Sequence, residues 1–98
     1  METENLISIQ EFCIYHDITD SFIFSLNEFG LIEIRKVEEH NYILIDQVRD
    51  IEKMIRLHFD LNINFEGIDT INSLLQKIET VQKELMVTKN RLRLYEGE

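Results

Sequence analysis

Apolar positions along the chain recur first with a helical period, then with a strand period, then helically again. Ser8 and Glu11 stand in the S-x-x-E spacing of a capping box, in which each side chain can satisfy the other's free backbone N–H. Ile9, Phe12, Cys13 and His16 follow at i, i+3, i+4 and i+7, one face of an α-helix. Asp17-Ile18-Thr19 reads as a short turn, and Thr19 or Asp20 can cap a second helix. Phe22, Leu26 and Phe29 mark that helix's inner face, and Gly30 suits a left-handed stop. Two short helices joined by a tight turn predict a helix-turn-helix.

The period then changes. Ile32 and Ile34 alternate with Glu33 and Arg35, and Val37 closes the run. Glu38-Glu39-His40-Asn41 is a polar turn, and Tyr42-Ile43-Leu44-Ile45 is a β-rich return. A hairpin directly after a helix-turn-helix is a wing. Asp46 is expected to cap a third helix with Val48, Ile51, Ile55 and Phe59 inward, broken at Asn62-Ile63-Asn64. Asn64 can cap a last helix whose first turn includes Gly67, where a glycine would let another backbone approach closely.

In that last helix Ile71, Leu74, Ile78, Val81, Leu85, Thr88, Leu92 and Tyr95 repeat with 3–4 spacing, an a/d seam of about three and a half heptads. A helix from residue 65 to residue 95 would be about 45 Å long at ~1.5 Å per residue, more than the width of a domain of this size. A second chain would bury the seam residues Ile71, Leu74, Ile78, Val81, Leu85 and Leu92; the alternative is a helix folded back on its own body. The expected fold is mostly α with a small β-hairpin: a winged helix-turn-helix portion over residues 1–63, then a long C-terminal helix over residues 64–98 that forms a coiled-coil homodimer.

Composition narrows the class. Ninety-eight residues suit one domain. There is no proline, and the single cysteine, Cys13, has no partner for a disulfide within the chain. No apolar run reaches the ~20 residues of a membrane span, and the opening METENLIS is acidic where a signal peptide would be basic, so a cytoplasmic protein is expected. The net charge of −9 is uneven: residues 1–30 carry −6 with no Lys or Arg, residues 31–60 carry −2, and residues 61–98 carry −1. An acidic helix-turn-helix repels phosphate and would steer a basic protein surface. A net-acidic surface also serves solubility alone.

Little in the chain asks for catalysis or a cofactor. Cys13 and His16 lie one helical turn apart, as two metal ligands could, but a structural zinc site needs about four, and only His40 and His58 remain as histidines. Cys13 falls on the apolar stripe among acids, which raises a thiol pKa and leaves a poor nucleophile. The glycines at 30, 67 and 97 are isolated, so no phosphate loop exists. Expectations are therefore no catalytic residue, no metal and no cofactor.

The second helix is the informative element. A DNA-reading helix presents Arg, Lys, Asn or Gln to the major groove. Residues 19–29 hold no base and two acids, and Asn27 is the one base-reading candidate. Phe24 lies about 200° around the helix from Phe22, which turns it outward with Ile23 beside it. An exposed aromatic among acids suits a protein interface; alternatively Phe24 packs under the wing or a second chain. The candidate partner-binding residues are Glu11, Asp17, Asp20, Phe24 and Glu28. Arg35-Lys36 in the wing could touch phosphate, but Glu33, Glu38 and Glu39 surround the pair.

Ile9-x-Glu11-Phe12-Cys13-x-x-His16, Gly30-Leu31-Ile32-Glu33 and Arg56-Leu57-His58-x-Asp60-Leu61-x-Ile63-x-Phe65-x-Gly67-Ile68 resemble the chaperone-modulator family of the CbpM type over nearly the whole chain. Those small bacterial proteins have an N-terminal portion similar to the MerR regulators. The resemblance implies a non-enzymatic protein that binds the J-domain of a DnaJ-like co-chaperone and restrains both its stimulation of Hsp70 and its DNA binding. It names no contact residue here. Two other readings stay open: a MerR-like transcriptional regulator that binds DNA as a dimer, and an oligomerisation scaffold whose coiled coil is the working part.

Overall fold

A computed structural model of the chain describes residues 5–97. Glu2 and Glu4, part of the acidic N-terminal third, lie outside the described residues, as does the METE of the opening segment. The order is β1 (Leu6–Ser8), α1 (Ile9–His16), α2 (Asp20–Glu28), β2 (Arg35–Val37), β3 (His40–Leu44), a 3-10 turn (Ile45–Gln47), α3 (Val48–Ile55), a π-helical turn (Arg56–Asp60) and α4 (Phe65–Tyr95). The fold is a mostly helical winged helix-turn-helix with a long C-terminal helix. Contacts divide the chain into residues 1–68 and residues 69–98.

In the first unit, Ser8 caps α1 by accepting the Glu11 N–H at 3.2 Å. Ile9, Phe12 and Cys13 are buried as the spacing predicts. The α1–α2 turn is a left-handed cap at Asp17 (φ 58°), closed by Ile18 N–H to Cys13 O at 3.1 Å. Helix α2 ends the same way, with Gly30 at φ 75° and Leu31 N–H donating to Leu26 O at 2.9 Å. Thr19 is the N-cap of α2, although its hydroxyl meets Ser21 rather than a backbone N–H.

The hairpin carries a third strand. β1 pairs antiparallel with β3 (Leu6 opposite Leu44, Ile7 opposite Ile43), giving the order β1-β3-β2. Ile43 on the central strand is fully buried. The wing's first strand is shorter than the alternation predicts, starting at Arg35. Side chains take up the backbone groups just before it. Asn27 Nδ2 donates to Ile32 O at 3.0 Å, and Gln47 both accepts from Glu33 N and donates to Glu33 O. Side chains, not a neighbouring strand, supply the hydrogen bonds at Ile32 and Glu33. The turn is tighter than expected: only Glu38 and Glu39 lie between the strands, both at positive φ (51° and 70°).

Several inward assignments change. Ile23 is completely buried, not outward: with Phe22 and Leu26 it spans an arc of about 100° centred on the core. That shifts Phe29 to the edge, 37% exposed and stacked on Phe65. Asp46 does not cap α3; Gln47 holds that position, and no side-chain cap bond forms there. Phe59 is 55% exposed, because the π turn winds more residues per turn and rotates it off the stripe of Ile51 and Met54. Asn64 caps α4 through Gly67 N–H at 2.8 Å. What crowds Gly67 is not another backbone: a Cβ there would meet Ile63 Cγ2 at 2.6 Å and Asn64 Oδ1 at 3.2 Å.

The segment at 56–68 thereby acquires a packing reason. Asn62 turns left-handed (φ 61°), His58 Nδ1–H donates to Ile63 O at 2.9 Å, and the His58 ring stacks on Phe65 beside Phe22. Ile68, fully buried, joins the core.

In the second unit, residues 69–98, α4 runs on to Tyr95. Leu74, Ile78, Val81, Leu85 and Leu92 are exposed there, and Ile71 is half-buried. Leu75, Met86, Val87 and Leu94, off the a/d seam, are exposed as well.

Candidate functional site

The packing of α1 and α2 on the core fixes which side chains are left outside. Core contacts consume Ile9, Phe12 and Cys13 of α1, yet Ile14 is 73% and Tyr15 83% exposed. A helix as short as Ile9–His16 has one inner face, so these two are apolar groups beyond what the core can bury. On α2, Asp20, Phe24 and Glu28 stand at i, i+4 and i+8, about 40° apart in sequence around the axis, and form one outward stripe.

Between α1, the helix-turn-helix turn, the first half of α2 and the hairpin tip lies an open groove of about 650 Å³. Ile9 and Cys13 form its buried floor, and Ile14, Ile18 and Phe24 add apolar walls. Asp17, Asp20 and Glu39 line it, and no lysine or arginine does so among the described residues. His40 and Asn41 complete the hairpin side. Two of the three carboxylates, Asp17 and Glu39, stand on left-handed backbone, where L side chains cost energy.

Of the five candidate partner-binding residues, the structure leaves all exposed and brings three together. Asp17, Asp20 and Phe24 share the groove; Glu11 and Glu28 are not among its lining. Phe24 is 37% exposed and shares the groove's lining with Glu39, His40 and Asn41 of the wing tip. Sequence reasoning missed Ile14, Glu39 and His40. Ile14 had a signal, the unbroken apolar run from Phe12 to Tyr15, which exceeds a single helical face. Glu39 and His40 had none, because nothing local connects the wing tip with the first helix.

Burial, and then the nearby Asp20 carboxylate, raise the Cys13 thiol pKa, which leaves a protonated, poorly nucleophilic sulfur at the groove floor. Among the described residues no group of three His, Cys, Asp or Glu side chains is arranged to share a metal ion, and no helix is long and apolar enough to cross a membrane. His16 Nε2 sits 3.5 Å from Glu52 Oε2, tying α1 to α3, and its ring lies against Phe12.

The layout also speaks on DNA. Asn27, the one base-reading candidate on α2, spends its amide on Ile32 O. In the wing, Arg35 Nη2 lies 3.9 Å from Glu33 Oε1, so the basic pair is partly neutralised. The description "MerR HTH family regulatory protein" matches residues 7–90, from β1 through most of α4. The chain belongs to this MerR family. The chain is also similar to proteins named chaperone modulatory protein CbpM. The Escherichia coli O139:H28 protein is 23% identical over 86 residues, covering 87% of this chain and 85% of the relative. The Shigella boydii serotype 18 protein shows the same identity and coverage. No solved structure matches the chain. This MerR-family member therefore keeps the winged helix-turn-helix and lacks a basic residue anywhere on α2.

Proposed function

We propose that this MerR-family chain is a non-enzymatic, cytoplasmic modulator of a DnaJ-like co-chaperone. It binds the co-chaperone's J-domain and restrains its Hsp70-stimulating and DNA-binding activities. The observation that carries the reading is the outward face of α2: Asp20, Phe24 and Glu28 in one stripe, where a DNA reader would present bases. The names of the relatives support the chaperone context. Acidic groups at Glu11, Asp17, Asp20 and Glu28 steer a basic partner, and Phe24 anchors it. Residues 1–63 carry this surface. Residues 64–98 pair with a second copy through Ile71, Leu74, Ile78, Val81, Leu85 and Leu92, because a half-exposed a/d seam is otherwise left in water.

Calorimetric titration of the cognate J-domain at two salt concentrations tests the reading. Binding should weaken with salt, since surface charges are screened within about 8 Å at physiological ionic strength. Reversing Asp17, Asp20 and Glu28 together should abolish most of the affinity; unchanged affinity would remove this placement of the interface. Family membership and the wing's Arg35-Lys36 favour a second reading, a dimeric DNA-binding regulator. A mobility shift that is sequence-specific and salt-dependent would establish it in place of the first.

A further inference from the structure

We infer that the groove between the helix-turn-helix and the wing tip receives one face of a cationic amphipathic helix of the partner, and that Glu39 at the wing tip is a contact residue for it. This rests on the reading that the acidic face meets a basic protein, and it relocates the contact. The stripe of α2 forms only one wall; the other is the hairpin tip.

Shape and charge argue for this occupant. Ile9, Cys13, Ile14, Ile18 and Phe24 give the lining its apolar part, and Ser8, Gln10, His40 and Asn41 give it uncharged polar groups. The space of about 650 Å³ is open to solvent and sized to take side chains from another molecule. Asp17, Asp20 and Glu39 supply carboxylates to the lining, and no Lys or Arg joins them among the described residues. A groove that sets five apolar side chains beside three carboxylates complements a helix that presents an apolar residue with Lys or Arg one turn to either side. An extended strand fits less well. The lining comes from two helices and the hairpin tip, and the central strand β3 is already paired on both sides.

The backbone adds a consequence that separates binding from folding. Glu39 holds a left-handed conformation (φ 70°) that glycine would adopt more readily. Glu39→Gly should therefore keep or raise the melting temperature while lowering affinity. A residue kept only for the fold would show both moving together. Glu38 shares the turn and the charge, but does not line the groove.

Two measurements on the full chain test the inference. In the first, J-domain affinity is compared for Glu39→Lys, Glu38→Lys and Glu39→Gly. Glu39→Lys should weaken binding about tenfold and Glu38→Lys no more than about threefold, since a contact charge outweighs a neighbouring one. Equal effects, or none at Glu39, overturn the inference and leave the J-domain reading standing. In the second, a synthetic helical peptide with Lys and Arg flanking a leucine is titrated into labelled protein. Amide shifts should appear at Cys13, Phe24, His40 and Asn41. Shifts confined to α3 or α4, or no saturable binding, overturn it. So would groove resonances that move on simple dilution, which would make a second copy the occupant. If the peptide binds in the groove but the J-domain does not bind at all, the proposed function fails and the groove assignment survives.

Discussion

Replacing Gly67 by alanine sets two effects of opposite sign against each other. Gly→Ala within a helix ordinarily stabilises by about 1 kcal/mol. Gly67 lies in the first turn of α4, and its added Cβ would stand 2.6 Å from Ile63 Cγ2 and 3.2 Å from Asn64 Oδ1. Neither neighbour yields freely. Ile63 is β-branched and packs against the core, and Asn64 Oδ1 is the acceptor that caps α4 through Gly67 N–H at 2.8 Å. Overpacking costs about 1–3 kcal/mol, and a displaced cap about 1 kcal/mol more. The clash should win by about 1–3 kcal/mol, lowering the melting temperature by roughly 4–24 °C. Urea denaturation at fixed protein concentration measures it, because the proposed dimer would couple stability to concentration. The decisive comparison is a double-mutant cycle. Ile63→Ala removes the colliding methyl, so Gly67→Ala should be stabilising in that background and destabilising in the parent. An unchanged or raised midpoint for Gly67→Ala alone would refute the reasoning.

Other outcomes follow from the same contacts. Glu38→Asn with Glu39→Gly should raise stability by about 1 kcal/mol, because both turn positions have positive φ; a fall in the thermal midpoint would count against the turn geometry. Cys13 should react slowly with a disulfide reagent near neutral pH. Its thiol pKa is raised by burial and then by Asp20, so the native state holds its proton longer than the unfolded chain. Its contribution to stability is therefore complete below the ordinary thiol pKa and is lost as pH rises through the raised native value, which pH-dependent denaturation reads. Asn27→Ala should cost about 1 kcal/mol by leaving Ile32 O without its donor, seen as a lower urea midpoint. Ile78→Asp with Leu85→Asp should yield a monomer by sedimentation with the winged unit's circular dichroism intact; a persistent dimer would rule out the seam.

Much of the layout was legible from short-range pattern. The Ser8 cap, the buried triplet of Ile9, Phe12 and Cys13, the Gly30 stop and the Asn64 cap each depend on groups within five residues of one another. One error arose where the period itself changed. At Arg56–Asp60 a π turn displaced Phe59, and no residue type there signals the extra residue per turn. Ile23 was misplaced because a stripe drawn through Phe22, Leu26 and Phe29 set the inner face of α2 too far to one side. The first strand, Leu6–Ser8, was invisible because three residues carry no usable alternation.

Periodicity and charge were thus enough to specify a winged helix-turn-helix, a long amphipathic helix and an acidic face without DNA-reading bases, since each follows from residues a few positions apart. They could not join Glu39, His40 and Asn41 to Phe24 and Asp17, nor show that Asn27 and Gln47 satisfy the backbone at Ile32 and Glu33. Those relations span five to 24 positions. They form only when the chain folds, because a buried carbonyl takes whichever donor the packing brings near it, and a groove belongs to the elements that surround it rather than to any one of them.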